Sequence, residues 1–378
     1  MTTSSVASNV APDFSAAWRL HGPGGTLRIE DIALPKVRPG TVRLRMEAAP
    51  ILSYLREYAA GNLPYWYPGG TFTPGTNGVG VIEEVGSDVY HFTAGQRVFV
   101  HPHLIAAENA AEPAQVLIGL TGISSDSGPM LAAWGDGTLS RRVLMPASVL
   151  APLDGIESLA AERLASLGKF GVPLGGLLRG RLSPGETLVV NGATGYFGSA
   201  AVLLGLALGA EQVIAAGRSA EILDRVQVAG GPRVRTVILT GDADADAKAI
   251  RNAAGGRGAH LAFDQVGRAS DSASTLAALK SLQRGGRLVL MGSMTSPLPI
   301  AYGELMANDW EVIGNFMYRA TAFRTLVSLV RSGLLDLDRV DIRSFAMEAL
   351  PQAMDQAAKM RGLDCTIVRL SDDAAPGE

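Results

Sequence analysis

The chain has 378 residues, 47% of them hydrophobic and 18% charged, with a net charge of -3 and one cysteine, Cys365. That length predicts two domains. The near-neutral charge, with no basic run, argues against nucleic acid or an anionic membrane as the main partner, and one cysteine excludes a disulfide framework and a cysteine-rich zinc site and suits a reducing cytoplasm. The 45 Gly and 20 Pro imply many tight turns. Residues 1–12 are Ser/Thr/Ala-rich without the basic start and apolar core of a secretory signal, and read as a flexible leader.

Residues 16–100 are read as short strands. Alternation over 41–46, a glycine-bounded run over 78–86 and a third run over 96–100 predict a β-barrel or sandwich-like domain. Most of 101–140 reads as loop, 140–145 as a closing strand and 156–167 as a helix. After Pro184-Gly185 the pattern changes to alternation: strands over 188–190, 212–216, 235–239, 259–263 and 287–291, and helices over 195–208, 220–229, 242–254 and 271–282. Strands alternating with helices of about ten residues predict βαβ units around a parallel sheet. A strand over 310–316, helices over 320–332 and 350–359, and a frayed tail after Leu370 complete the reading. The most apolar stretch, 200–210, is about half the length of a membrane span.

The sharpest motif is Gly192-Ala193-Thr194-Gly195-Tyr196-Phe197-Gly198, which follows a strand and opens a helix. Gly192 permits a tight turn, Gly195 a close backbone approach to a pyrophosphate, and Gly198 tight helix-on-strand packing, while the helix N-terminus offers unpaired N–H groups to phosphate. At the end of the second strand stand Gly217, Arg218 and Ser219, where an enzyme that prefers NAD usually carries a carboxylate for the ribose 2′-hydroxyl. A guanidinium there suits a 2′-phosphate, so the expected cofactor is NADPH. Asp264 and Val266, Gly292 and Ser293, and Asn315 fall at later strand ends, where ligands of such sheets bind, and are read as contacts of the nicotinamide half.

With residues 74–80, 96–98, 137–140 and 146–147 added to that glycine loop, the chain resembles the medium-chain dehydrogenase/reductase superfamily, specifically its zinc-free quinone-oxidoreductase-like branch. The resemblance implies an α/β protein in which a Rossmann doubly wound parallel sheet interrupts a GroES-like β-barrel domain. The boundaries are 1–155 for the first GroES-like segment, 156–311 for the Rossmann domain and 312–378 for the return. It also implies a homodimer joined through the apolar segment 297–316. Where zinc-binding members place a Cys after the first strand and a Gly-His-Glu motif, this chain has Ala49-Pro50-Ile51 and Gly75-Thr76-Asn77-Gly78, so no metal is expected.

Without a Lewis acid, hydride addition is easiest to an acceptor that is already electron-poor, such as a quinone or an α,β-unsaturated carbonyl. The resulting expectation is a cytoplasmic, NADPH-dependent reductase of a small molecule. Reduction of a special carbonyl or imine in a biosynthetic pathway, and an NADPH-binding sensor without turnover, stay open as alternatives. Ser53 and Tyr54 occupy the segment that lines the nicotinamide in the family, and Tyr54 is the candidate proton donor or orienting group. Tyr58, Tyr65, Trp66 and Tyr67 are either an aromatic wall for a flat substrate or the cap of the barrel. His101 and His103 read as isolated rather than as a ligand pair, Cys365 as a small buried apolar residue, and Lys169 as either a cofactor or substrate contact or a surface lysine.

Overall fold

A computed structural model describes residues 14–267 and 269–371. The leader 1–12 and the tail from 372 onward lie outside the described residues. The chain divides into two compact units. One comprises the segment up to Ala49, Glu57–Leu150 and the segment from Leu370; the other comprises Pro50–Arg56 and Ala151–Arg369.

The first unit is built on β1 (Phe14–His21), β2 (Leu27–Ala33), β3 (Thr41–Pro50), β4 (Thr71–Phe72), β5 (Gly78–Val85), β6 (Arg97–Val100) and β10 (Arg142–Pro146). Val42, Leu44 and Met46 of β3 are fully buried while Arg43 and Arg45 between them are partly exposed, the period-2 burial that the sequence alternation required. β3 pairs antiparallel with β5 and β10, and β5 with β6; a second sheet has the order β2-β1-β4. The stretch read as loop holds β7 (His103–Ile105), β8 (Gln115–Leu117) and β9 (Thr121–Gly122), which form a small antiparallel sheet, and the short helix α2 (Gly128–Ala133). Strands of two or three residues are too short to show alternation. A first short helix, α1 (Leu55–Ala59), precedes these, and β11 (Leu150–Pro152) follows them.

The second unit is a six-stranded parallel sheet of β12 (Thr187–Asn191), β13 (Gln212–Gly217), β14 (Val234–Ile238), β15 (Ala259–Asp264), β16 (Leu282–Leu290) and β17 (Glu311–Gly314), in the order β14-β13-β12-β15-β16-β17. Every residue of β12 is buried, as a strand covered on both faces must be. The chain order reverses direction between β12 and β15, which opens a crevice at their carboxyl ends. Helices α5 (Tyr196–Ala207), α6 (Ala220–Gly230), α7 (Ala243–Ala253) and α8 (Ala273–Lys280) make the crossovers near their predicted bounds.

The predicted helix 156–167 shrinks to α3 (Ala161–Ala165), continued by a 3-10 turn, Ser166–Lys169. The following helix, α4 (Gly171–Arg179), escaped the sequence reading because Gly171, Pro173, Gly175 and Gly176 are poor helix formers. Here the small residues are a packing device: a Cβ on Gly176 would press on Phe263 and Met291, and one on Gly175 on Met317 and Tyr318. Beyond β17 come α10 (Ala322–Arg331), β18 (Asp341–Phe345), α11 (Leu350–Ala358) and β19 (Asp364–Arg369), with β18 parallel to β19; α9 (Tyr302–Ala307) precedes β17. The expected boundary at 311/312 cuts β17, whose residues 311–314 pair with 287–290 of β16, so by hydrogen bonding this segment belongs to the parallel sheet. Among the described residues no helix is long and apolar enough to cross a membrane.

Candidate cofactor and active site

The glycine loop leaves β12 at Asn191. Gly192 takes a φ of +84°, the left-handed turn for which glycine was predicted. The amides of Gly192 and Ala193 donate to the Ala216 carbonyl at 3.1 and 3.0 Å, tying the loop to β13, and the Gly195 amide donates to the Gly192 carbonyl at 2.9 Å. Gly195 then caps α5, whose first three N–H groups have no intrahelical acceptor. A Cβ on Gly198 would overlap the Gly192 carbonyl, so glycine is required for the close approach.

This loop borders a cavity of about 750 Å³ within the second unit. Of the residues singled out in the sequence, Ser53, Tyr54, Gly192, Thr194, Gly195, Tyr196, Gly217, Arg218, Val266 and Ser293 line it. Tyr54 is half-buried and Ser53 exposed, on the turn that enters α1. Arg218 is exposed and pairs with no carboxylate among the described residues. Ala193 and Gly198 are buried, the Phe197 ring packs edge-on at 5.0 Å from that of Tyr196, and Ser219 stands at the N-cap position of α6 without a side-chain capping hydrogen bond. Gly292 and Asn315 are not in the lining; the Asn315 amide donates instead to the Met317 carbonyl at 2.9 Å, supporting a positive-φ turn.

Asp264 departs most from its expected role. Its carboxylate is buried, accepting from Asn191 Nδ2 at 3.1 Å, Thr275 Oγ1 at 2.7 Å and the Val266 amide at 3.1 Å. It ties β12, α8 and the loop after β15 together rather than facing a nicotinamide, and burial pushes its carboxyl above the usual range against the pull of those donors.

Sequence reasoning missed two polar groups and one wall. Asn191 and Gln265 line the cavity, and their buried Oδ1 and Oε1 atoms have no hydrogen-bond partner among the described residues. The wall is the turn after α11, with Ala358, Met360 and Arg361. Gln265 adjoins the strand end already marked at Asp264; the turn, more than 150 residues from the glycine loop in sequence, carries no local signal. Two buried, unpaired acceptors, a left-handed glycine loop and a helix N-terminus fit a ligand that carries phosphates together with N–H donors, which a nicotinamide dinucleotide does.

Lys169 is neither a surface lysine nor part of the cavity lining. It is fully buried, with Nζ donating to the Gly362 carbonyl at 2.8 Å and lying 3.7 Å from the centre of the Tyr196 ring. Cys365 is buried as expected, its Sγ 3.6 Å from Tyr196 Oη, and burial pushes its thiol up.

In the first unit Tyr58 is fully buried, donates to the Leu120 carbonyl at 2.5 Å and stacks on Tyr67 with ring centres 4.6 Å apart, so this pair caps the barrel, while Trp66 stays exposed. His101 is buried and burial pulls its imidazole down to about 3; His103 meets Gln115 at 2.9 Å. Thr76 is buried and accepts from Asn77 Nδ2 at 3.2 Å. Among the described residues no group of three or more His, Cys, Asp or Glu is placed to hold a metal.

A parallel sheet whose order reverses beside a glycine loop, with a cavity over that point, defines a dinucleotide-binding unit. Two family models match in tandem: "Alcohol dehydrogenase GroES-like domain" over residues 38–155 and "Zinc-binding dehydrogenase" over residues 197–332. The chain belongs to the medium-chain dehydrogenase/reductase superfamily and is a nicotinamide-dinucleotide-dependent oxidoreductase with a GroES-like N-terminal domain.

Similar proteins include a putative D-xylulose reductase of Agrobacterium fabrum, 27% identical over 90% of this chain and 95% of the relative, and sorbitol dehydrogenase of Bacillus subtilis, 25% identical over 89% and 91%. Among solved structures, 2R,3R-butanediol dehydrogenase of Bacillus subtilis superposes with a TM-score of 0.76 at 22% identity, covering 94% of this chain and 99% of the other. An Escherichia coli alcohol dehydrogenase complexed with NADH gives 0.77 at 18% identity, covering 95% and 100%. The zinc in the second family's name finds no matching residues at Thr76-Asn77.

Proposed function

We propose that the chain is a zinc-independent reductase that transfers hydride from NADPH to an activated acceptor, a quinone or an α,β-unsaturated carbonyl. The observation that carries this reading is the residue set of the site. Arg218 stands where a carboxylate would select NAD, and phenol and hydroxyl groups line the cavity, with no trio of metal ligands gathered among the described residues.

A bound reduced nicotinamide supplies the hydride. The chain's own part is to hold phosphates on the α5 N-terminus, to pair Arg218 with the 2′-phosphate, and to offer Asn191 and Gln265 to the cofactor's N–H groups. Tyr54 then orients the acceptor oxygen and gives its proton to the enolate or quinolate oxygen as charge develops there. Similarity to a putative D-xylulose reductase and to sorbitol dehydrogenase favours a second reading, reduction of a special carbonyl such as a ketose.

The same proposal includes a homodimer, since β17 is the sheet's edge strand and Tyr302, Met306 and Phe316 beside it are exposed. It includes a cytoplasmic setting, which suits one buried thiol.

The test is NADPH oxidation against quinones, enones, ketoses and imines, with and without chelator, in the wild type and in Tyr54→Phe. Turnover of quinones or enones that survives chelation is expected, with kcat about 100-fold lower in Tyr54→Phe. Turnover of ketoses or imines alone selects the second reading, loss of activity to chelator overturns the metal-free claim, and tight NADPH binding with no acceptor leaves a sensor.

A further inference from the structure

We propose that Lys169 is a buried counter-charge to the phosphates held at the glycine-rich loop, a positioning residue that takes up a proton when an anionic dinucleotide binds. The inference rests on the cofactor reading above and goes beyond it in assigning a coupled ionisation to a residue outside the cavity.

The geometry centres on one peptide unit. The Gly362 amide donates to the Thr194 carbonyl at 2.9 Å, and the Gly362 carbonyl accepts from Ser199 Oγ at 2.6 Å and Lys169 Nζ at 2.8 Å. Thr194 belongs to the glycine loop, Ser199 to the first turn of α5, and Gly362 to the turn that walls the cavity through Met360 and Arg361. Lys169 thus joins the three pieces that shape the phosphate end of the site. Its Nζ also faces the Tyr196 ring, the first residue of α5 and part of the lining, at 3.7 Å.

The charge on this ammonium is not neutralised within the described chain. Among the described residues no carboxylate oxygen lies within 4.0 Å of Nζ, whose second oxygen contact is the Asp364 carbonyl at 3.4 Å. The Tyr196 ring of α5 lies against it, Cys365 and Asp364 of β19 and Asp341 of β18 act on it electrostatically, and Arg163 of α3 acts on Cys365. Both aspartates are already engaged by Arg225, at 2.9 and 2.6 Å.

Burial therefore pulls the amine down to about 7, with Cys365, Asp364 and Asp341 acting in the opposite direction. An unpaired buried cation is costly, and a phosphate set on the far side of Thr194 and Tyr196 supplies the missing negative charge. The bound anion favours Lys⁺, so the bound pKa exceeds the free one. Affinity is then full below pH 7 and falls as pH rises from about 7 toward the bound value, by up to tenfold per pH unit for one linked proton.

The test is calorimetric titration of the full chain with NADPH and with NADH at pH 8, in two buffers of different ionisation enthalpy. At that pH a phosphate, whose second ionisation is near 6, contributes little uptake of its own. Net uptake approaching one proton per site is expected, together with a Kd that rises from pH 7 to 8.5. In Lys169→Met and Lys169→Arg both the uptake and the pH slope should vanish, the first because no proton is carried and the second because it is never lost. The Arg variant, which keeps the charge, guards against a Met variant that does not fold. Dinucleotide binding without proton uptake, or uptake that persists in either folded variant, overturns the role of Lys169 and leaves the cofactor reading standing. Failure of both dinucleotides to bind overturns that reading and this one with it.

Discussion

Arg218 was read from its identity and position alone as a contact of the 2′-phosphate, because the end of the second strand of a dinucleotide-binding sheet lies by the adenosine ribose. Its exposed guanidinium lines the cavity and has no carboxylate partner among the described residues. Removing it is expected to weaken NADPH by about 10- to 100-fold, the worth of one charge-assisted hydrogen bond at roughly 1.5–3 kcal/mol, and to leave NADH nearly unchanged. Fluorescence titration of Arg218→Ala with both cofactors checks this, and an unaltered NADPH-to-NADH ratio counts against NADPH selectivity. Asp264 shows the opposite outcome. It sits at a strand end, as the sequence reading had it, yet three donors claim its carboxylate and aim it inward. Residue type and strand end do not reveal where a side chain points when a neighbouring element, here Thr275 of α8, supplies the partner.

At the scale of elements, the β12-loop-α5 unit was read nearly to the residue, because strand burial, left-handed turn and helix start each leave a local mark. Gly198 is where these elements touch, against the Gly192 carbonyl. Gly198→Ala must therefore push α5 away from the loop. A loss of about 1–3 kcal/mol in urea unfolding is expected, the usual range for overpacking, together with at least a tenfold rise in cofactor Kd. A variant with native stability and affinity would show that the approach is looser than described. The elements that escaped sequence reading did so for two reasons. The strands β7, β8 and β9 are too short to show a period, and α4 is helical despite its glycines because Phe263, Tyr318 and Phe323 close against positions where only small residues fit.

At the scale of the molecule, an exposed edge strand flanked by exposed apolar side chains is a liability unless it is covered. With β17 at the edge and Met306 and Phe316 each more than half exposed, sedimentation should give twice the chain mass, and Met306→Asp with Phe316→Asp should give the monomer. A monomeric wild type would refute the dimer. The sequence by itself determined the α/β class, the parallel sheet and the dinucleotide loop, because burial on two faces, left-handed turns and helix starts are imposed by neighbours within a few residues. Only the tertiary structure decided that the turn at Gly362 walls the cavity and that Lys169 lies buried behind the loop. Those facts come from segments far apart in the chain, brought together by hydrogen bonds and packing that leave no periodic trace in the residues between them.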